Sequence, residues 1–546
     1  MASANGNGAT VPATVPDQIT VPADVLVRHG VRQLDQTAAV RDMDGERPLS
    51  TAYRPDTLLV PKADVESLLP DNDTDYDKGL AELGLVLRRP KDPGWNEIIR
   101  DLHDDLGVPA QLVRTEGRDA DRPPDAWAAL VALRTWFGNS ENLKRSGRDR
   151  PPQIGLDHLL MAAADTQGAP YTGGGSVPSR QSQSNGIALH TGDRNPVQML
   201  MPPPLRRAVS DLPLGRRPVI AVVDTGIGKH DWLPVGDPAS DPVVEVSAEF
   251  QSWIRSNEEA LVQTTGAAIV PLVDHHEVRN ELQPLLGLTD SHSGHGTFVS
   301  GLVLQNCPDA RILALRMLHS DGYSTEGSFL LALEWLRKRA EKAASTGDPN
   351  LAVDVVSLSL GFYPETADPN KLPLVQAAIK RLTDLGVLVV AAAGNDSTTR
   401  TFLPAAYGQA NPLVAAVGAL NASGQTVAAF SNAGPWIGRW TPGNALVSTV
   451  PVWQGATGPM LAPTDAGFDP VPRTSPDDDD LTTGFAMWAG TSFATPVVAG
   501  KIGSVLVENA SLARMSPADR AKQVLKETDD KLRDKQWPVV ELAFGS

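Results

Sequence analysis

Short unbroken apolar runs dominate the second half of this chain. Residues 218–223, 386–393 and 413–419 carry no polar side chain, and 311–317 and 353–360 are mostly apolar. A strand with one wet face alternates apolar and polar residues. Unbroken runs therefore predict strands buried on both faces, as in a parallel sheet. Segments of helical spacing lie between several of them, at 329–343 and 374–385. Buried strands alternating with helices predict an α/β fold, a doubly wound parallel sheet in three layers, α/β/α. Ligands in such sheets gather at the carboxyl ends of the strands. Asp224 and Asn395 each close an apolar run.

The first half is patterned differently. Residues 1–25 are rich in Ala, Gly, Pro and Thr and read as a disordered N-terminus. Residues 26–167 read as a smaller α/β or α+β domain. Strands are expected at 57–60 and 83–87, a helical turn at 63–69, and helices at 96–106 and 126–137. Residues 168–204 hold Gly173-Gly174-Gly175 and further Ser, Gln, Asn and Pro, and read as a linker. The large domain then occupies 205–546.

Charge and cysteine content narrow the function. The net charge of −17 argues against a nucleic-acid partner or an anionic membrane. The single cysteine, Cys307, rules out an intrachain disulfide and reads as a small half-buried residue at a helix end. The N-terminus lacks the basic and apolar regions of a secretory signal, and no stretch suits a membrane span, so a cytoplasmic location is expected.

Three Gly-flanked segments carry candidate chemistry: Val222-Val223-Asp224-Thr225-Gly226, Gly294-His295-Gly296-Thr297 and Gly490-Thr491-Ser492-Phe493-Ala494-Thr495-Pro496. Asp, His and Ser are the parts of a nucleophilic triad: a hydroxyl, a base to take its proton, and a carboxylate to orient the base. Residues 493–507 read as an apolar helix. Pro496 fits only near a helix start, which puts Ser492 at the helix N-terminus, where free N–H groups favour developing negative charge.

Over roughly residues 215–510, these motifs resemble those of the subtilisin-like serine proteases (subtilases, peptidase S8). The resemblance implies a serine endopeptidase with Ser492 as nucleophile, His295 as base and Asp224 as its orienting carboxylate. It implies Asn395, in Ala391-Ala392-Ala393-Gly394-Asn395-Asp396, as the oxyanion-hole amide, paired with the Ser492 backbone N–H. It makes Ser359, Leu360 and Gly361 one wall of the substrate cleft and Ala392, Ala393 and Gly394 the other, with Phe402 near the pocket base. A protein or peptide substrate would bind between them as an extended strand. No cofactor and no metal are implied, because the segment after His295 is too short for the family's calcium loop. Phe298 stands where the family often has a second His.

The resemblance also marks insertions near 240–288 and 455–483. Asp274-His275-His276-Glu277 reads as a solvated loop rather than a metal site, and Asp477-Asp478-Asp479-Asp480 as an exposed acidic loop. Family precursors carry an N-terminal segment that folds on the catalytic domain and leaves its tail in the cleft. Residues 26–167 are thus a candidate intramolecular inhibitor, weighed against a separate binding domain. Arg206-Arg207 and Arg216-Arg217 are candidate cleavage sites. A processing protease is the favoured function. The alternative is a protease-derived binding or sensor scaffold.

Overall fold

The computed structural model describes residues 19–68, 73–90, 92–115, 123–163, 194–265, 267–277, 281–283, 288–453 and 481–534. The acidic run 477–480 and most of the stretch 168–204 lie outside these residues.

The expected parallel sheet is present with seven strands. Their order across the sheet is Arg439–Pro442, Val414–Leu420, Leu388–Ala392, Val355–Leu358, Val219–Asp224, Arg311–Arg316 and Val244–Val246. All neighbours run parallel. Alternate residues of one strand enter different cores. Val219, Ala221 and Val223 join the cluster of Leu330, Leu333 and Ile379. Ile220 and Val222 join that of Phe298, Val303 and Val498. The unbroken apolar run follows from this two-sided burial. The helices His295–Asn306 and Thr491–Glu508 cover one face, and Glu326–Thr346 and Pro373–Asp384 the other.

The N-terminal region is α+β. Strands Ala52–Pro61, Leu85–Arg88, Gly107–Arg114 and Gly155–Ala162 pair antiparallel. Helix Ala126–Gly138 buries Trp127, Leu130, Leu133 and Phe137 in the same apolar cluster as Leu58 and Val60. This sheet rests on the outer helices of the large domain. A Cβ on Gly107 would lie 2.8 Å from Leu374 and 3.1 Å from Leu330.

Several boundaries shift from the expectation. Ile19 and Val21 are buried and Ala23–Arg28 is helical, so packing begins before residue 26. Within the expected linker, Asn195–Pro196 pairs with Phe485–Trp488. The candidate cleavage arginines are tied into the fold. Arg207 pairs with Asp309 at 2.7 Å, Arg216 with Asp354 at 2.6 Å and Arg217 with Asp241 at 2.5 Å. Cys307 caps helix His295–Asn306 and is buried rather than half-buried, which pushes its thiol pKa up to about 12. Among the described residues no helix is long and apolar enough to cross a membrane.

Candidate active site

Asp224 is the last residue of its strand, at the carboxyl edge of the sheet. Its Oδ1 accepts from the Thr225 N–H and lies 2.7 Å from His295 Nδ1. His295 opens its helix, capped by Gly294 at φ +89°, a backbone conformation that favours glycine. A carboxylate on Nδ1 leaves Nε2 as the acceptor nitrogen. Nε2 is buried and has no hydrogen-bond partner among the described residues. The imidazole packs against Trp488 and Phe493, with ring centroids 5.6 and 5.2 Å away.

Ser492 is the second residue of helix Thr491–Glu508. Its Oγ donates to the Ser359 carbonyl at 2.9 Å rather than to His295. In return, Ser359 Oγ donates to the Ser492 carbonyl at 2.7 Å. Pro496 explains why that carbonyl is free. It lies inside the helix, four residues beyond Ser492, and has no N–H to offer back. The proline, expected near the helix start, is the sixth residue of the helix, and its missing donor makes room for a bond to Ser359.

The candidate oxyanion segment is fixed from two sides. Asn395 Oδ1 accepts from Thr491 N at 2.9 Å and from Thr491 Oγ1 at 2.8 Å. This directs the Asn395 Nδ2 away from Thr491, and it donates to the Ala163 carbonyl. The Ser492 N–H donates to the same oxygen at 3.0 Å. Gly394 takes φ +94°, and a Cβ there would overlap Asn432. Asn432 Nδ2 donates to the Ala393 carbonyl at 2.8 Å while its Oδ1 accepts from Asp396 N at 3.0 Å.

Ala163 follows the strand Gly155–Ala162, which lies along the candidate cleft wall. Ala162 pairs with Leu360 and Met161 with Gly361, antiparallel. The other edge pairs with Tyr323–Thr325. The Ala163 N–H donates to the Ser359 carbonyl at 3.0 Å, and Ala162 N–H to Gly322 at 2.7 Å. Ser359, Leu360 and Gly361 thus meet an extended strand of the chain itself. Gly394 borders Ala163, whereas Ala392 pairs with Val417 in the sheet behind it. Ser492 and His295 are fully buried beneath.

Two groups escaped the sequence reading. One is Glu277, which the sequence reading placed in a solvated loop. It is buried beside the triad candidates and accepts from Thr225 Oγ1, Thr297 Oγ1 and Gly296 N. Burial raises its pKa to about 7 against the pull of those hydrogen bonds. The other is His158, on the cleft strand. Its ring lies between Glu326 and, at 2.9 Å, Glu365. Burial alone would lower its pKa, but the flanking carboxylates outweigh it and lift it to about 10. His158 sits in no local motif, and the segment holding Glu277 gave no sign of its burial. The only hint for Ala163 was the short apolar run 159–163 ahead of the Gly-rich stretch.

The sequence model of the subtilase family matches residues 215–545. Subtilisin E of Bacillus subtilis is 27% identical over 282 residues, 50% of this chain and 58% of that protein. Subtilisin BL of Lederbergia lenta is 29% identical over 243 residues, 43% of this chain and 71% of that protein. The major intracellular serine protease of Bacillus subtilis is 31% identical over 174 residues, 29% of this chain and 48% of that protein. The chain therefore spans little more than half the length of subtilisin E.

Proposed function

This chain belongs to the subtilase family, and on that premise we propose that it is a serine endopeptidase whose N-terminal region occupies its own cleft. The observation that carries the reading is the convergence of Asn395 Nδ2 and Ser492 N–H on one peptide carbonyl, that of Ala163. Two preorganised donors on a strand-held carbonyl are what acyl transfer requires, because the same donors serve the oxyanion as charge develops.

The chemistry follows from the residues. The Ser492 hydroxyl turns from Ser359 to His295 Nε2 and gives up its proton as Oγ attacks the carbonyl carbon. Asp224 stabilises the resulting imidazolium. Collapse breaks the C–N bond, and the leaving amine takes the proton from Nε2. Water then hydrolyses the ester, with His295 again as base, and releases the new carboxylate. In the intact chain the presented bond is Ala163–Ala164, so turnover there separates residues 1–163 from the remainder. Until it is cut and released, the strand excludes other substrates.

Limited processing suits such a covered cleft better than bulk degradation. A cytoplasmic setting is supported by the relative named as intracellular and by the lone cysteine. The bond from Ser492 Oγ to Ser359 favours a second reading, a binding scaffold in which the serine is idle. A fluorophosphonate probe separates the two. Labelling of the wild-type chain and none of Ser492→Ala supports the peptidase; no labelling of either, before or after prolonged incubation, supports the scaffold.

A further inference from the structure

Asp224 and His295 meet at 2.7 Å, and the residues that follow them meet as well. The Gly296 N–H donates to Thr225 Oγ1 at 2.8 Å and to Glu277 Oε1 at 3.1 Å. The Glu277 carboxylate thus lies one residue beyond the Asp–His contact, on both segments at once. Each of its oxygens also takes a hydroxyl, Thr225 at Oε1 and Thr297 at Oε2. Each hydroxyl oxygen in turn accepts a backbone N–H, that of Gly296 for Thr225 and that of Gly228, at 2.8 Å, for Thr297. The hydroxyl protons are therefore free to point at Glu277, and both its oxygens act as acceptors.

Backbone bonds deliver the carboxylate. Ile227 N donates to the His275 carbonyl at 2.9 Å and Glu277 N to the Ile227 carbonyl at 3.2 Å, so residues 275–277 run beside 226–228. Gly226 permits the approach, since a Cβ there would lie 2.5 Å from the His275 carbonyl oxygen. The same carboxylate answers a need of helix His295–Asn306. The first N–H groups of a helix lack partners within it, and the N-cap here is Gly294, which has no side chain to offer. Glu277 supplies the acceptor from outside, to Gly296, the second helical residue. The charged groups acting with it are Asp224, Arg194 and Arg316. His295 adjoins its Gly296 donor, and His275 and His276 precede it on its own segment.

We propose that Glu277 is a positioning residue for peptide hydrolysis: it clamps the segment of the base onto the segment of the orienting carboxylate, so that His295 keeps its bond to Asp224 while the proton moves from Ser492 to Nε2. This rests on the peptidase reading above and adds a second carboxylate to the site. Glu277 acts through Thr225, Gly296 and Thr297 rather than on the peptide itself. A negative charge beside Asp224 also favours the imidazolium. Glutamine at this position keeps the shape, removes the charge and turns one acceptor into a donor.

The test compares full-length wild type with Glu277→Gln and Glu277→Ala, each held until its mass is constant. The substrate is Leu-Leu-Met-Ala-Ala, the sequence of residues 159–163, as its para-nitroanilide. The glutamine variant should lose about tenfold in kcat and the alanine variant about 10²-fold, with KM changed less than about twofold, because a misaligned base costs turnover rather than binding. The acid limb of the kcat/KM profile should lie about half a pH unit lower in the glutamine variant, because the imidazolium loses a neighbouring negative charge. Stability should not follow activity. In the Ser492→Ala background, urea unfolding at about pH 8 should find Glu277→Gln at least as stable as the chain that keeps Glu277. A glutamine variant with the wild-type kcat and acid limb would overturn the proposal, as would activity that falls only where stability falls. If the alanine variant does not fold, the glutamine variant decides alone. A wild type that cleaves nothing and takes no fluorophosphonate label rejects the peptidase reading itself, and the clamp with it.

Discussion

Two strands of this protein, Val219–Asp224 and Gly155–Ala162, are both buried and are held by different chemistry. The first is apolar on both faces and carries its only charge, Asp224, at the end where the chemistry is expected. The second has Asp157 and His158 in its middle, both fully buried. Asp157 accepts from Gly327 N at 2.9 Å and lies 3.8 Å from Arg54, and His158 is set between two glutamates. Apolar burial is insensitive to pH and costs nothing in desolvated charge. A buried ionic joint gives up hydration for its pairing, so its net contribution is small while the loss of one partner is severe. The sheet is a permanent frame, and the cleft strand is seated by charges and backbone bonds that a change in protonation can weaken.

The comparison breaks first at the groups the frame carries. Ser492→Ala should abolish peptide hydrolysis, a loss of about 10⁶ in turnover; the figure comes from subtilisin, a member of this family, and is carried over. Circular dichroism should be unchanged, because among the described residues Oγ makes one bond, to Ser359. Peptidase activity near the wild-type level would remove Ser492 from the reaction. Asn395→Ala should cost about 10²–10³ in kcat with little change in KM, again a subtilisin magnitude. An equal rise in KM would make the amide a binding group rather than an oxyanion donor.

The joint is probed at His158, in the Ser492→Ala background so that no bond is cut. His158→Leu takes from Glu326 its cation and leaves Glu365 only Arg134, 4.0 Å away, and should lower stability by about 3 kcal/mol near neutral pH. The folded pKa of His158, about 10, lies above its ordinary 6.5. Its contribution is therefore complete below pH 6.5 and is lost as pH rises through about 10. The stability gap between the two proteins, from urea unfolding, should shrink between pH 6 and 10. A gap independent of pH would mean that packing, not charge, seats the strand.

The smallest effect belongs to Glu277. Its carboxyl has a folded pKa near 7, raised from 4.5. Its stabilisation is thus full below pH 4.5 and is lost as pH rises through about 7. Glu277→Gln should gain on the wild type over that window, by about 1 kcal/mol once its poorer bonding to Thr225 and Thr297 is counted. A variant that loses ground as pH rises would reverse the assigned direction.

The same contrast decides what could be read from the sequence. The parallel strands were legible because two-sided burial leaves unbroken apolar runs. The candidates Asp224, His295, Ser492 and Asn395 were legible because each sits in a tight local setting. The strand Gly155–Ala162 was not, because Asp157 and His158 interrupt its apolar run and their partners Arg54, Glu326 and Glu365 are far away in the chain. Helix Ala248–Thr265 was missed because polar residues dominate its composition. Glu277 looked solvated because its three donors come from two other motifs, and the Ser359 hydroxyl that answers the missing N–H of Pro496 lies far away in the chain.

The account turns on whether the Ala163 carbonyl is held for reaction. Intact mass and N-terminal sequencing of the purified full-length protein, beside Ser492→Ala, test this directly. Wild type is expected to yield a new N-terminus at Ala164, with the Ser492→Ala chain left whole. Cleavage at another bond, or a wild-type chain that stays whole while Ser492 is labelled rapidly by a fluorophosphonate, would contradict it.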